Sequence, residues 1–302
     1  MKLIDILTSP WAIVPSKYAE ITNIYFTHLR GEKIDIKGIE AQIGKPLDNQ
    51  EQGYSVENGV AVIPIDGVIS KRMNMFSKIS GGVSTELIGR DFTQAMNDPN
   101  VKSIVFYIDS PGGSVDGTQE LARMVMSARG KKEVVAYTDG MMASASYWIG
   151  SAADKVYISG DTTQVGSIGV VAQHVDVSKA EEKMGVKTTE IVAGKYKRVA
   201  SQYGPLTEEG KSALQEAVDY IYSAFVNDVA MFRGVSVEKA LSMADGKVFM
   251  GKQAIDAGLA DGVKSLPDLI DRYGLIPSTR AIRVITEERI RAKEVQNANP
   301  TA

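Results

Sequence analysis

VKSIVFYIDSPGGSVDG, Val101 to Gly117, decides how the rest of this chain is read. Val101 to Ile108 is a nearly continuous apolar run of strand length, the pattern of a strand buried on both faces. It runs into a Gly-rich turn, Asp109 to Gly117, and then into a helical stretch from Val115 to Ala128 that ends at Gly130. Gly112 and Gly113 can take backbone angles closed to other residues. A turn of that kind can aim free N–H groups at one point near a helix start, where negative charge is favoured, and a developing oxyanion needs that arrangement. No Gly-Lys-Ser/Thr follows and the spacing is not GxGxxG, so the turn is not a nucleotide loop. Taken alone, it reads more often as an ordinary tight β–α connection.

The same alternation extends in both directions. Upstream, VAVIPIDGVI from Val60 is a short apolar strand in which Pro64 suggests an edge or a bulge. Leu87, Ile88, Phe92, Ala95 and Met96 then recur at helical spacing. Downstream, Val134 to Tyr137 is a strand and Ala143 to Ala153 a buried helix of small residues. Lys155 to Ser159 and Ile168 to Ala172 read as strands, and Lys187 to Val192 is compatible with one. Repeated strand–helix alternation predicts an α/β fold with a largely parallel core. Thr207 opens a long amphipathic helix whose apolar face carries Leu214, Val218, Ile221, Phe225 and Val229, framed by Pro205 and Gly234. A second helix, Ser236 to Ala244, and a closing unit, KVFMGKQAIDAGLADGV, follow.

The predicted organisation is a leader and linker at 1–58, with the linker at Asp48 to Asn58, a main domain at 59–278 and a charged, frayed tail at 279–302. The aromatic residues of the leader, Trp11, Tyr18, Tyr25 and Phe26, are spaced for one or two short helices.

Composition narrows the function. The chain has 302 residues, enough for a full core, and a net charge of -3. It carries no excess of positive charge and no long Lys/Arg run, which argues against a nucleic-acid partner. It contains no cysteine, which removes disulfides, thiolate metal sites and a Cys nucleophile. The apolar run of the N-terminus is interrupted by Asp5 and Pro10 and is too short for a secretory core or a membrane span, so a soluble intracellular protein is expected. His28 and His174 are the only histidines. Neither accompanies a GxSxG elbow, and no HExxH or Cys/His cluster is present, so neither a Ser-His-Asp triad nor a catalytic metal is supported.

Three further segments could carry chemistry. MMASASYWIGSAAD, Met141 to Asp154, places Ser144 and Ser146 among small residues at a strand-to-helix junction, where a substrate backbone could approach. The commoner reading of such serines is a hydroxyl bonded back to the preceding turn. GKYKRVASQYGPLT, Gly194 to Thr207, gathers Lys195, Lys197 and Arg198 ahead of the long helix, where a lone lysine is usually just solvated. TTQVGSIGVV, Thr162 to Val171, could present the Ser167 hydroxyl to a neighbour.

Taken together and in this order, DSPGGSV, ASASYWIGSAAD, VGSIGVV, GKYK and FMGKQAIDAGLADG resemble the signal peptide peptidase A-type serine peptidases. The likeness is strongest to their phage and prophage capsid-assembly (head maturation) branch, which the leader PWAIVP also resembles. It covers about Val60 to Val263. The resemblance implies a Clp-protease/crotonase-like spiral of β-β-α units. It puts the nucleophile at Ser144, with Ser146 as the second candidate because Ala145 and Ser146 stand where the family has two glycines. It makes Lys197 the general base, with Lys195 the runner-up. It assigns the oxyanion hole to the N–H groups of Gly113 and Ala145 and gives Ser167 a supporting bond to the lysine amine. It implies no cofactor, and a homo-oligomer in which neighbouring protomers supply serine and lysine. The implied substrates are scaffold and head proteins, in the host cytoplasm or inside a procapsid, with neither nucleic acid nor membrane as partner. Trimming of the tail after about Thr279 is a further implied step.

A Ser-Lys pair is physically demanding. A free lysine, with a pKa of ~10.4, is almost wholly protonated at neutral pH and cannot accept a proton. The site must exclude water and bring the amine down toward neutrality. Two other readings share the fold: an acyl-CoA enzyme of crotonase type, and a capsid assembly factor without catalysis.

Overall fold

The structure, a computed structural model, describes residues 9–29, 53–72 and 82–274. The predicted tail at 279–302 and the start of the predicted linker at Asp48 lie outside the described residues, as does the side chain of His28.

The frame is a six-stranded sheet. Its order is β13 (Gly262–Val263), β10 (Lys155–Ile158), β8 (Glu133–Thr138), β6 (Ser103–Asp109), β3 (Val60–Asp66) and β2 (Ser55–Glu57). All neighbours pair in parallel except β2, which runs antiparallel to β3. The apolar run of β6 is central and buried, as its lack of alternation predicts. Alternate residues serve two cores. Ala61, Ile63, Ile65, Ile104, Phe106, Ile108, Val134 and Ala136 face the main one, while Val60, Val62, Val105, Val135 and Tyr137 face a second, closed by Leu269 and Ile270 of the last helix.

Each main strand is followed by a short second strand and then by a helix. β3 leads to β4 (Val68–Ser70), β5 (Gly82–Ser84) and α2 (Thr85–Asn97). β6 leads to β7 (Gly112–Ser114) and α3 (Thr118–Ser127), and β8 to β9 (Met141–Ala143) and α4 (Ala145–Ser151). The short strands assemble into two small sheets at one end of the large one: β4 pairs in parallel with β5 and β7, and β9 with β11 (Gln164–Gly166). This is the spiral of β-β-α units expected from the sequence. It brings the ends of β7, β9 and β11, and so the Gly-Gly turn, Ser144 and Ser167, to one place.

Pro64 sits inside β3, next to the edge strand rather than on it. β2 reaches only Val60 to Val62, so no ladder is lost at the proline.

Three expectations need correction. The leader is not purely helical: Trp11–Ile13 forms a strand, β1, and the helix α1 runs from Pro15 to Leu29. Pro10 and Pro15 bracket an apolar run too short for a helix, and proline at the first helical position starts α1. Ile168 to Ala172 is not a strand; Val171 makes only an isolated bridge to Trp11. Gly166 and Ser167, at φ 109° and 50°, turn the chain out of β11 instead. Lys187 to Val192 is irregular and largely exposed, since β propensity without a pairing edge forms no strand.

The long helix α6 (Glu208–Arg233) begins at Thr207, whose side chain accepts from Gly210 N, and ends at Gly234 in the left-handed region. Short helices Ser178–Lys183 (α5) and Val237–Leu241 (α7) lie on either side of it in the chain. β12 (Val248–Met250), α8 (Gly251–Ala257) and α9 (Leu266–Tyr273) complete the described elements. Among the described residues no helix is long and apolar enough to cross a membrane.

Candidate active site

Ser144 stands between β9 and α4 with φ 56° and ψ -118°. That conformation costs a non-glycine residue ~1–3 kcal/mol and persists only where the surroundings enforce it. They do so here from both sides. Ser144 N donates to Gly166 O at 2.7 Å, and Ser144 O accepts from Trp148 N at 2.9 Å.

Behind Ser144, α4 is pinned by its aromatic pair. Trp148 stacks on Phe225 of α6 with ring centroids 4.3 Å apart, and its indole N–H donates to Asp228 Oδ2 at 3.0 Å. Tyr147 OH donates to Leu259 O at 3.0 Å. Arg129 ties the C-terminal ends of α4 and α6 together, donating to Ala152 O, Ala153 O and Phe232 O. Burial pulls this guanidinium below its ordinary pKa range, against the charge of Asp154.

The two candidate serines have different surroundings. Ser146 Oγ donates to Ser110 O at 2.9 Å and Ala143 O at 2.8 Å, so its hydroxyl is committed to holding two turns together. Ser144 Oγ has only a long 3.5 Å contact to Gly169 O. Of the two, Ser144 has the less committed hydroxyl, although only 1% of its surface is exposed.

The Gly-Gly turn lies against this junction. Gly113 pairs with Ile69 of β4, and an added methyl would fall 2.0 Å from Ile69 O, which explains the glycine. Gly112 has φ +100°, and a methyl there would lie 2.9 Å from Ala143 O and 3.0 Å from Ala145 N. The turn and the start of α4 therefore touch. Ala145 opens α4, so its N–H has no intrahelical acceptor.

Ser167, the residue directly after β11, also has positive φ, 50°, and its N–H donates to Lys247 O at 2.7 Å. Its side chain is nearly buried and its hydroxyl makes no hydrogen bond among the described residues. It is therefore free to bond an incoming group.

Among the described residues neither lysine makes a hydrogen bond to Ser144. Lys197 is exposed in the turn after Gly194, and its amine makes no hydrogen bond or ion pair among the described residues. Lys195 is bound to Glu209 Oε1 at 2.9 Å and lies 5.0 Å above the Tyr196 ring. The hydrogen bond that Lys195 donates to Glu209, joined by the one to Tyr196 OH, raises its pKa, which is the wrong direction for a base. The loop carrying both lysines also exposes Met184, Val186, Val192 and Tyr196, with Ile191 96% exposed, and Tyr220 on α6 is 79% exposed. His174 is occupied with Ser201 O at 2.9 Å on the same loop. The described residues contain no cluster of three or more His, Cys, Asp or Glu side chains able to hold a metal.

Two features went unread in the sequence. One is Asp228, 3% exposed, which binds Trp148, Gln119 and Arg123. Its only sequence signal is an acid on the apolar stripe of a long helix, close to Phe225 and Val229. The other is the strand Trp11–Ile13, which pairs antiparallel with Gly112–Ser114 beside Ser144.

A spiral of β-β-α units with a strained serine at a β–α junction, next to a Gly-Gly turn, is the Clp-protease type of fold, and residues 68–176 match the Clp protease family model. Residues 127–274 match the model of peptidase family S49, so the chain is similar to serine-type peptidases of that family. It is 34% identical over 221 residues to the capsid assembly protease C of Escherichia phage lambda, a match covering 73% of this chain and 50% of that protein. It is 32% identical over 248 residues to the head-tail preconnector protein GP5 of Enterobacteria phage P21, covering 79% and 49%. Protease 4 of Haemophilus influenzae is 28% identical over 233 residues, covering 75% and 36%. The chain thus spans about half the length of the phage relatives it matches.

Proposed function

We propose that this chain is a serine endopeptidase in which Ser144 is the nucleophile, Lys197 the general base, and the N–H groups of Gly113 and Ala145 the oxyanion hole. The observation that carries the reading is the backbone of Ser144. It is held in a strained conformation by Gly166 O and Trp148 N, so that an otherwise weakly bonded hydroxyl stands beside the Gly-Gly turn.

The cycle follows from these groups. Ser144 Oγ attacks the peptide carbonyl carbon while a neutral Lys197 amine takes the hydroxyl proton. The oxygen that gains charge is held by the two amides. The C–N bond breaks, the leaving amine takes the proton from Lys197, and an ester to Ser144 remains. Water then attacks the ester, gives a proton to Lys197, and Ser144 recovers its hydrogen as the acid leaves. Ser167 is well placed to orient the lysine, because its hydroxyl is uncommitted at the same junction.

Lys197 reaches its place on assembly. The loop that bears it displays large apolar side chains to solvent, as a surface awaiting a second copy does. A homo-oligomer in which a neighbour's loop covers Ser144 would both bury those residues and dry the amine. The substrates we propose are scaffold and head proteins of a phage particle, in line with the names of the two phage relatives. A host cytoplasmic or procapsid setting follows from the same relatives.

Mass spectrometry of candidate head proteins incubated with wild type, Ser144→Ala and Lys197→Ala tests this. Defined new termini with wild type alone support the proposal; identical fragments from all three refute it.

A further inference from the structure

A strand of the leader already lies along the Gly-Gly turn that adjoins Ser144. β1 runs as a middle strand, with Ala12 opposite Gly113 on one edge and Trp11 opposite Val171 on the other. Trp11 and Val171 exchange both backbone hydrogen bonds at 2.8 Å. On the Gly-Gly side, Val14 N donates to Pro111 O at 2.9 Å and Val115 N to Pro10 O at 3.4 Å. The alternation of an antiparallel ladder then makes Ala12 and Gly113 the hydrogen-bonded pair between them. The carbonyl of Ala12 therefore accepts from Gly113 N–H, one of the two amides assigned to the oxyanion. The other is close: a methyl on Gly112 would lie 2.3 Å from Ala12 O and 3.0 Å from Ala145 N.

The side chains show how this strand is held. Ala12 is fully buried in the main core, together with Ala145 and Ile69. Trp11 and Ile13 point the other way, into a separate cluster with Tyr18 and Ile21 of α1 and Val68 of β4. The helix thus anchors the strand that it follows. Ser144, beneath it, is almost wholly buried.

We propose that Trp11–Ile13 is an internal occupant of the substrate cleft, a strand that a polypeptide must displace before Ser144 can act on it. The inference rests on the reading of Ser144 as nucleophile and adds what the cleft selects. Its ligand is an extended segment paired on both edges, with a small residue where the carbonyl meets Gly113 and bulky apolar residues on either side.

Two measurements on the full-length chain test this. In the first, a fluorophosphonate probe labels wild type and Ala12→Arg, whose side chain cannot occupy the buried Ala12 position. The variant should label ~10-fold faster or more, and a peptide of Ser9–Pro15 carrying Trp11→Phe should slow it again. Equal rates overturn the proposal. If neither chain labels, the fault lies with the nucleophile assignment, and the second measurement decides, as it does if Ala12→Arg fails to fold. It uses the Ser144→Ala chain and the same peptide. Trp11 is 2% exposed, so its displacement shifts the tryptophan emission to the red, and a Trp11→Phe, Ser144→Ala chain shows no shift. Failure of the peptide to bind, or binding without the red shift, overturns the inference.

Discussion

The indole N–H of Trp148 donates to the carboxylate of Asp228 at 3.0 Å, joining the helix behind Ser144 to the long helix α6. Asp228 also accepts from Gln119 Nε2 at 2.8 Å and Arg123 Nη2 at 3.3 Å, so one buried acid serves three donors from two helices. The acid thereby anchors Trp148, the residue whose backbone N–H bonds Ser144 O. Asp228→Ala is expected to lower stability by ~2–4 kcal/mol, because it strands a buried indole N–H and removes the partner of Arg123. Asp228→Asn, which keeps one acceptor, should lose less. Urea unfolding midpoints at constant slope check the order.

Ser146 and Ser144 separate cleanly by mutation. Ser146→Ala removes two bonds to Ser110 O and Ala143 O and should cost ~1 kcal/mol or somewhat more in stability, with hydrolysis retained within a few-fold. Ser144→Ala should leave stability little changed, because the hydroxyl makes only the long contact to Gly169 O, and abolish hydrolysis. Paired melting and peptide-cleavage measurements on the two variants read this directly; the reverse pattern would move the nucleophile to Ser146.

The Arg233–Asp261 pair, 2.9 Å apart, predicts an acid limit to stability. Burial would raise the Asp261 pKa, but the hydrogen bond and charge of Arg233, helped by Val156 N and Lys155, hold it below the usual 3.8. A carboxylate lowered by folding contributes stability that is complete above its unfolded value and is lost as pH falls through the folded one. Thermal midpoints of wild type should therefore fall below about pH 4, and Asp261→Asn should be less stable at neutral pH and flatter across that range.

Assembly makes a separate prediction. Sedimentation should find the chain larger than a monomer, and Ile191→Asp should weaken the assembly, because that side chain is almost fully exposed in the single chain. If the dyad spans two protomers, mixing Ser144→Ala with Lys197→Ala should restore part of the activity that each has lost. Recovery tracks co-assembly; no recovery under conditions of subunit exchange places both residues in one protomer.

Much of the fold was legible. The uninterrupted apolar run of β6, the caps of α6 and the strand–turn–helix rhythm all follow from local pattern, and each has the predicted form. The small-residue β–α junction marked a place where a site could be, but on local pattern alone Ser144, Ser146 and the Gly-Gly turn read as ordinary structure, and only the family resemblance pointed to Ser144 and Gly113. The leader strand could not, since three residues between prolines form a strand only when two edges happen to be offered, by Gly112–Ser114 and Val171. Asp228 was hidden for a related reason: an acid on an apolar stripe gains meaning only once Trp148 faces it. Lys197 stays exposed in its turn, and neither pattern nor propensity says what would bring its amine to a serine.

Peptide mapping of the fluorophosphonate adduct on the assembled wild type and on Lys197→Ala tests the central claim most directly. The account predicts one adduct, on Ser144, in the wild type, and its near-complete loss when the amine is removed. An adduct elsewhere, or equal labelling of Ser144 without Lys197, would contradict it.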